Sequence, residues 1–85
     1  MGELLNLPNI GEDTERQLNE VGVYTKEELE DLGAEQAWLR LQRIDPSACI
    51  HRLLGLEGAV RGMKKTLLPK ERKAELSAFY KAHKL

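Results

Sequence analysis

The sequence predicts a compact all-α bundle of five or six short helices, with residues 1–85 forming one domain. Along nearly every segment the apolar residues recur at intervals of three or four, which is the period of a helix, and no segment alternates convincingly as a strand does. Glycines and prolines fall between these segments, where they end one helix and begin the next. A chain of 85 residues can bury a single modest core.

A proline-marked bend follows a short first turn at residues 2–5. We expect residues 7–11 to form a tight connection, because Pro8 cannot continue a helix and Asn9 tolerates turn dihedral angles. A helix is then predicted from near Gly11 to Gly22, with one side in the core and the other in water. The predicted core side consists of Thr14, Leu18 and Val21. The predicted solvent side consists of Glu12, Glu15, Arg16, Asn19 and Glu20.

Two further helices are predicted before the middle of the chain. Thr25 and Glu28 have the spacing of a capping box, so a short helix should start there, run to about Leu32 and end at Gly33. The next helix is predicted to begin at Ala34 and to carry one apolar stripe, which we expect to face the core. This stripe consists of Ala34, Ala37, Trp38, Leu41 and Ile44.

A longer helix is predicted from Pro46 to about Gly62. Asp45 is a typical N-cap, and proline is favoured at the first helical position. The apolar residues of this helix cover a wide arc, which indicates a central position, and Cys49 on that arc is expected to be a small buried hydrophobe. The other side carries Gly55, Gly58 and Gly62. These glycines suggest that another backbone packs closely there, the alternative being a helix that frays after Leu56.

The last helix is predicted to open at Pro69, with Leu76 and Phe79 facing inward. Its lysines Lys70, Lys73, Lys81 and Lys84 fall within one narrow sector. We call these four residues the lysine row. A basic helix face can follow phosphates, although such a row is more often simply solvated.

Charge is distributed unevenly along the chain, although the net charge is only −1. Residues 1–45 contain eleven acidic and four basic residues, a balance of −7, and residues 46–85 contain three acidic and nine basic residues, a balance of +6. Such a split indicates a charged face for a partner, or contact between the two halves. We expect a cytoplasmic protein for three reasons. The sequence has one cysteine, it has no apolar run long enough to cross a membrane, and it has no secretory signal.

The sequence offers few groups for catalysis or metal binding. Asp45, Ser47 and His51 are close in sequence, but capping accounts for the first two and no glycine-rich oxyanion turn adjoins them. Structural zinc needs four ligands, and Cys49, His51 and the distant His83 are the only soft ones. Neither a phosphate-binding loop nor a dinucleotide fingerprint is present. We therefore expect no enzyme activity, no cofactor and no metal.

The first third of the chain resembles the helix-hairpin-helix motif. That motif combines a Leu-Pro-Gly-Ile-Gly turn, an amphipathic helix ending in glycine, and a Val-x-Thr-x-x-x-Leu segment. The matching residues are Leu7, Pro8, Ile10, Gly11, Leu18, Gly22, Thr25 and Leu29. Asn9 stands where the first glycine usually lies. In DNA-binding members the hairpin amides and a nearby cation hold a phosphate, but here Glu12 and Asp13 would repel one.

The resemblance extends along most of the chain to the C-terminal domain of the TfoX/Sxy family. It is carried by LNLPNIG (5–11), TERQL (14–18), VGV (21–23), LGAEQAWL (32–39), DPSAC (45–49), LEGA (56–59) and LPKERK (68–73). The resemblance implies a small helical bundle of the helix-hairpin-helix or SAM-like type, present here as a stand-alone copy. Two-domain members of this family regulate competence for DNA uptake in bacteria. The matched positions are turn formers, caps and core residues, so no catalytic residue is implied.

Two functions remain open at this point. The first is a non-catalytic regulatory and interaction module that binds another protein, or a second copy of itself, through the acidic half or the basic last helix. The second is sequence-independent DNA binding, with contacts from Asn9, Ile10, Gly11, Lys70, Lys73, Lys81 and Lys84. No membrane contact is expected.

Overall fold

The computed structural model describes residues 2–85, and this range contains four α-helices. They are α1 (Glu12–Glu20), α2 (Lys26–Ile44), α3 (Ile50–Arg61) and α4 (Lys70–His83). Short 3₁₀ turns occupy Glu3–Asn6 and Lys65–Leu67, and the described residues form no strand. The predicted all-α class is confirmed. The prediction of five or six helices is wrong, since the described residues form four.

Part of this difference lies at Gly33, where the predicted helix end is a kink inside α2. Gly33 has φ 80° and ψ 163°, and it is the one residue of α2 with non-helical dihedral angles. The chain leaves the helical path for a single residue and resumes it at Ala34, so two predicted helices join into one. The predicted capping box at the start of α2 is present. The Thr25 hydroxyl accepts from the Glu28 amide at 3.1 Å, and the Glu28 carboxylate accepts from the Thr25 amide at 3.1 Å.

The prediction that a helix starts at Pro46 is wrong, because the corresponding helix, α3, begins at Ile50. The Asp45 carboxylate does accept from the Ser47 amide at 3.1 Å and from the Ser47 hydroxyl, but it caps an isolated turn rather than a helix. Cys49 is the residue that precedes the first turn of α3, and its side chain is exposed, which corrects the expectation of a buried thiol.

Trp38 is the centre of the core. It has no exposed surface, and its indole Nε1 donates to the Cys49 carbonyl at 3.2 Å. Phe79 and Tyr80 of α4 pack edge-on against it, with ring centroids 6.3 and 5.6 Å away. The predicted stripe of α2 is therefore confirmed as a core face, except that Ile44 at its end is 43% exposed. The fully buried large side chains are Leu4, Leu18, Val23, Leu29, Trp38, Leu41, Leu53, Leu56 and Leu76.

The helix α3 is central, as predicted, and packs against α2, α4 and the Lys65–Leu67 turn. It continues to Arg61 and ends at Gly62, whose φ of 72° is left-handed, so it does not fray after Leu56. An arginine of α4 joins the helices: Arg72 Nη2 lies 2.8 Å from Glu35 of α2 and 3.0 Å from Glu57 of α3. Burial alone would raise the pKa of Glu57, but hydrogen bonds from Arg72 and Arg61 outweigh it and hold that pKa below its ordinary value.

Glu15 of α1 is buried, which corrects its predicted place on the solvent side. Its carboxylate accepts from the Gly2 amide at 3.0 and 3.1 Å and from the Leu5 amide at 3.1 Å. These amides belong to the start of the chain and the first 3₁₀ turn. Glu15 thus ties the amino-terminal turn to α1. Of the described helices, none combines the length and the apolar character that crossing a membrane requires.

Candidate interaction surfaces at the hairpin and the lysine row

The hairpin turn at residues 7–11 is present where the sequence predicted it. Asn9 has φ 67°, in the left-handed region that asparagine tolerates better than most residues, and the Ile10 amide donates to the Leu7 carbonyl at 3.4 Å. Ile10 is buried in the core, and Gly11 precedes α1 in an extended conformation. The turn therefore joins the amino-terminal 3₁₀ turn to α1, with its middle residue in a special conformation.

The side chain of Asn9 binds α3 and the segment that follows it, about fifty residues further along the chain. Its Nδ2 donates to the Gly55 carbonyl at 3.3 Å and to the Met63 carbonyl at 2.9 Å, and its Oδ1 accepts from the Lys65 amide at 3.2 Å. One side chain thus satisfies a carbonyl of α3 and two backbone groups of the segment that follows α3. The sequence marked Asn9 only as a turn residue and missed this bridging role.

The glycines of α3 make room for the hairpin, as their position in the sequence suggested. A Cβ at Gly55 would lie 3.4 Å from the Asn9 Cβ and 3.7 Å from the Asn9 carbonyl oxygen. A Cβ at Gly58 would lie 2.6 Å from the Met63 carbonyl oxygen and would also collide with the Asn9 amide. The predicted close approach of a second backbone is therefore confirmed at Gly55, where that backbone is the hairpin, and at Gly58, where it is the segment after α3. It is wrong for Gly62, which has no such neighbour within 4 Å.

Acidic side chains flank the hairpin on its α1 side. Glu12 and Asp13 occupy the first turn of α1, both are exposed, and the nearest cation is Arg16, 3.4 Å from Asp13. No side chain caps the amino terminus of α1 at Gly11. The positive end of the helix dipole is therefore offset by the two carboxylates of its own first turn.

The lysine row runs along α4, and one of its members contacts the turn that precedes this helix. The Lys73 ammonium donates to the Thr66 carbonyl at 3.1 Å, in the 3₁₀ turn that also supplies the amide bound by Asn9. Lys81 and Lys84 are exposed near the far end of α4, and eight residues of helix separate Lys73 from Lys81 by about 12 Å. Lys73 therefore contacts the turn that Asn9 binds, and Lys81 and Lys84 lie further along the chain.

The lysines remain without acidic partners. Within residues 2–85 all seven ion pairs use an arginine, and no lysine has a carboxylate oxygen within 4.0 Å. The Lys84 ammonium lies 5.9 Å from the centre of the Tyr80 ring, which is a cation–π distance. These free cations are available to a partner.

Residues 1–80 match the family model described as the TfoX C-terminal domain. The chain belongs to the TfoX C-terminal domain family. A curated relative, Protein Sxy of Escherichia coli (strain K12), is 38% identical over 74 residues, a match that covers 87% of this chain and 35% of Sxy. The chain therefore spans about a third of the length of that relative.

Solved structures share the fold of this TfoX C-terminal domain. A triclinic crystal form of an uncharacterized protein from Listeria monocytogenes superposes with a TM-score of 0.92 at 40% identity, covering 93% of this chain and 90% of that one. A tetragonal crystal form of a Listeria monocytogenes protein of unknown function gives a TM-score of 0.89 at 40% identity, covering 92% and 96%.

The residues considered for catalysis do not assemble in this TfoX C-terminal domain. Hydrogen bonds from Ser47 and Gln17 lower the pKa of Asp45, and no hydrogen bond joins His51 to Ser47 in the described range. Among residues 2–85 no three His, Cys, Asp or Glu side chains come together as a metal site would require.

Proposed function

We propose that this domain is a non-catalytic regulatory module of the cytoplasm that acts through protein–protein contacts. The observation that carries this proposal is the internal use of the hairpin: the Asn9 side chain is bound to α3 and to the segment after it. A hairpin that joins two parts of its own fold serves as a structural connection. The membership of this chain in a family of competence-related regulators supports a regulatory role.

The charges at the hairpin also favour a protein as the binding partner rather than a nucleic acid. A phosphate seated on the amides around Gly11 would approach Glu12 and Asp13, which are exposed and mostly unneutralised. Two like charges within about 4 Å repel by about 1 kcal/mol even at the dielectric constant of water. Apart from Arg16, the cations of this molecule lie outside α1, many of them on α4 and in the segment before it. We therefore assign binding to the charged faces, with the lysine row as the basic one.

A capture experiment from native cytoplasm tests this proposal. The full chain should retain a specific partner, and reversing two charges of the lysine row, Lys70→Glu and Lys81→Glu, should release it. The control reverses two cations of the other half, Lys26→Glu and Arg43→Glu, and should retain the partner. Equal release by both variants, or no specific partner in any sample, would refute the proposal.

A second candidate function is sequence-independent DNA binding. The position of Lys73 favours it, because the Lys73 ammonium donates to Thr66, in the turn whose Lys65 amide is bound by Asn9. The contacts would come from the residues around the turn and from α4, namely Asn9, Ile10, Gly11, Lys70, Lys73, Lys81 and Lys84. Non-specific DNA binders typically have Kd values of about 1–100 µM, and each phosphate neutralised adds about 0.9 to the slope of log K against log salt. Fluorescence anisotropy with a short duplex at low salt would reveal both signatures, and no binding at about 100 µM would eliminate this candidate.

A further inference from the structure

A shallow apolar groove lies between α3 and the start of α4. Its walls are formed by His51, Leu54, Lys65, Thr66 and Lys73, and its volume is about 280 Å³. Leu54 is half-buried in it, and Leu67, the residue after Thr66, is 68% exposed. We call the five lining residues the basic groove. It combines an apolar floor with a positively charged rim, which suits a segment that carries both apolar and acidic side chains.

Within residues 2–85 the rim cations of the basic groove form no ion pair. Neither Lys65 nor Lys73 has a carboxylate oxygen within 4.0 Å in the described range, and Lys73 contacts only a backbone carbonyl. Since ordinary surfaces intersperse charges of both signs, a rim with free cations of one sign selects for an acidic occupant.

A matching acidic surface is found on the first part of α2. Glu27, Glu30 and Asp31 lie three and four residues apart, so they share one face of the helix, and all three are exposed. None of them takes part in an ion pair within residues 2–85. Tyr24, just before this helix, is 57% exposed and offers an aromatic ring beside the carboxylates. We call these four residues the acidic face.

We propose that the acidic face of one copy of this chain docks in the basic groove of a second copy. The two halves of the chain have opposite charge, −7 for residues 1–45 and +6 for residues 46–85, while the whole chain has a net charge of only −1. Copies of such a chain therefore repel each other little at long range, and their opposite faces attract. The inference rests on the proposed protein-binding function and names a partner for it.

The contact is small and made of exposed charges, so the association is weak and salt-sensitive. Neutralising two of these charges should weaken it about tenfold, since each exposed pair contributes a modest amount. We expect the full chain to self-associate at low salt. The association should disappear when the salt concentration exceeds about 1 M, where the Debye length is about 3 Å.

Light scattering on the full chain and on four neutral variants tests the inference. The groove variant carries Lys65→Gln and Lys73→Gln, and the face variant carries Glu27→Gln and Glu30→Gln. The controls neutralise two charges outside both surfaces: Arg16→Gln with Arg43→Gln, and Glu12→Gln with Glu20→Gln. Circular dichroism melts establish that each variant is folded before its mass is measured.

The parent chain should exceed its monomer mass of 9.6 kDa increasingly with concentration, and both controls should do the same. The groove variant and the face variant should each remain monomeric alone. Mixed in equal amounts they should associate again, because one supplies an intact face and the other an intact groove. Restoration on mixing distinguishes a groove-to-face contact from general charge effects.

A parent chain that stays monomeric at every concentration would overturn the inference, as would controls that weaken association as much as the groove and face variants. Failure of the mixture to recover would overturn it as well. A monomeric chain that still captures a specific partner from cytoplasm would refute only this inference and would leave the proposed function in place.

Discussion

Replacing Asn9 by glycine isolates the contribution of the hairpin bridge. Glycine adopts φ 67° without strain, so the change removes the three side-chain hydrogen bonds and little else from the folded state. A neutral hydrogen bond contributes about 0.5–1.5 kcal/mol, and because Asn9 is solvent-accessible we use the lower end, about 1.5 kcal/mol for three. The greater freedom of glycine in the unfolded chain adds about 0.5–1 kcal/mol. Asn9→Gly should therefore destabilise the domain by about 2 kcal/mol.

Urea unfolding followed by circular dichroism measures this loss, and a thermal melt should show a fall of about 8–16 °C for a domain of this size. Asn6→Gly is the matched control, because Asn6 is exposed and makes no side-chain hydrogen bond within residues 2–85. It should cost less than about 1 kcal/mol. Asn9→Asp keeps the acceptor for Lys65 but turns a carboxylate oxygen toward the Met63 carbonyl, so it should destabilise at least as much as glycine. Equal stability of Asn9→Gly and the parent chain would refute the bridging role.

Three further substitutions test the packing and the buried carboxylates. Gly58→Ala would place a Cβ 2.6 Å from the Met63 carbonyl oxygen, and the forced shift should cost about 1–3 kcal/mol in urea unfolding. Glu57 has a folded-state pKa below its ordinary value of 4.5, so its stabilising contribution is complete above pH 4.5 and is lost as the pH falls through the folded-state pKa. Unfolding free energies measured from pH 6 downward should therefore fall less steeply for Glu57→Gln than for the parent chain, and identical slopes would contradict this. Glu15→Gln turns an amide group toward backbone donors and should cost about 1–3 kcal/mol, with loss of hydrogen-exchange protection at the Leu5 amide as its local signature.

The sequence predicted the parts of the fold that depend on local chemistry. The hairpin followed from Pro8 and Asn9, and the start of α2 followed from the Thr25 capping box. The glycines on one side of α3 predicted a close backbone approach, because their cost to a helix needs a compensating contact. What approached them could not be deduced, since the hairpin is about fifty residues away along the chain.

Errors arose where tertiary contacts overrule local preference. Asp45 and Pro46 are a strong helix-start signal, but the chain uses them for a separate turn and starts α3 four residues later. Glu15 looks like a surface carboxylate until the amides of the amino-terminal turn surround it. Cys49 lies on an apolar arc only if the helix begins at Pro46, so the misplaced start also produced the wrong burial.

The candidate surfaces were predicted in part. The spacing of the lysine row identified the basic face of α4. That its lysines have no carboxylate oxygen within 4.0 Å among residues 2–85 became visible only in three dimensions. The groove beside Leu54 could not be predicted, because it joins residues of α3, the Lys65–Leu67 turn and α4.

The most direct test of the central claim is an amide NMR titration of the labelled chain with a short DNA duplex at low salt. If the hairpin is an internal connection whose acidic rim excludes phosphate, the amides of residues 10–13 should keep their chemical shifts throughout. Saturable shifts at Gly11 and Glu12 that vanish with added salt would show a phosphate bound at the turn and would contradict the account.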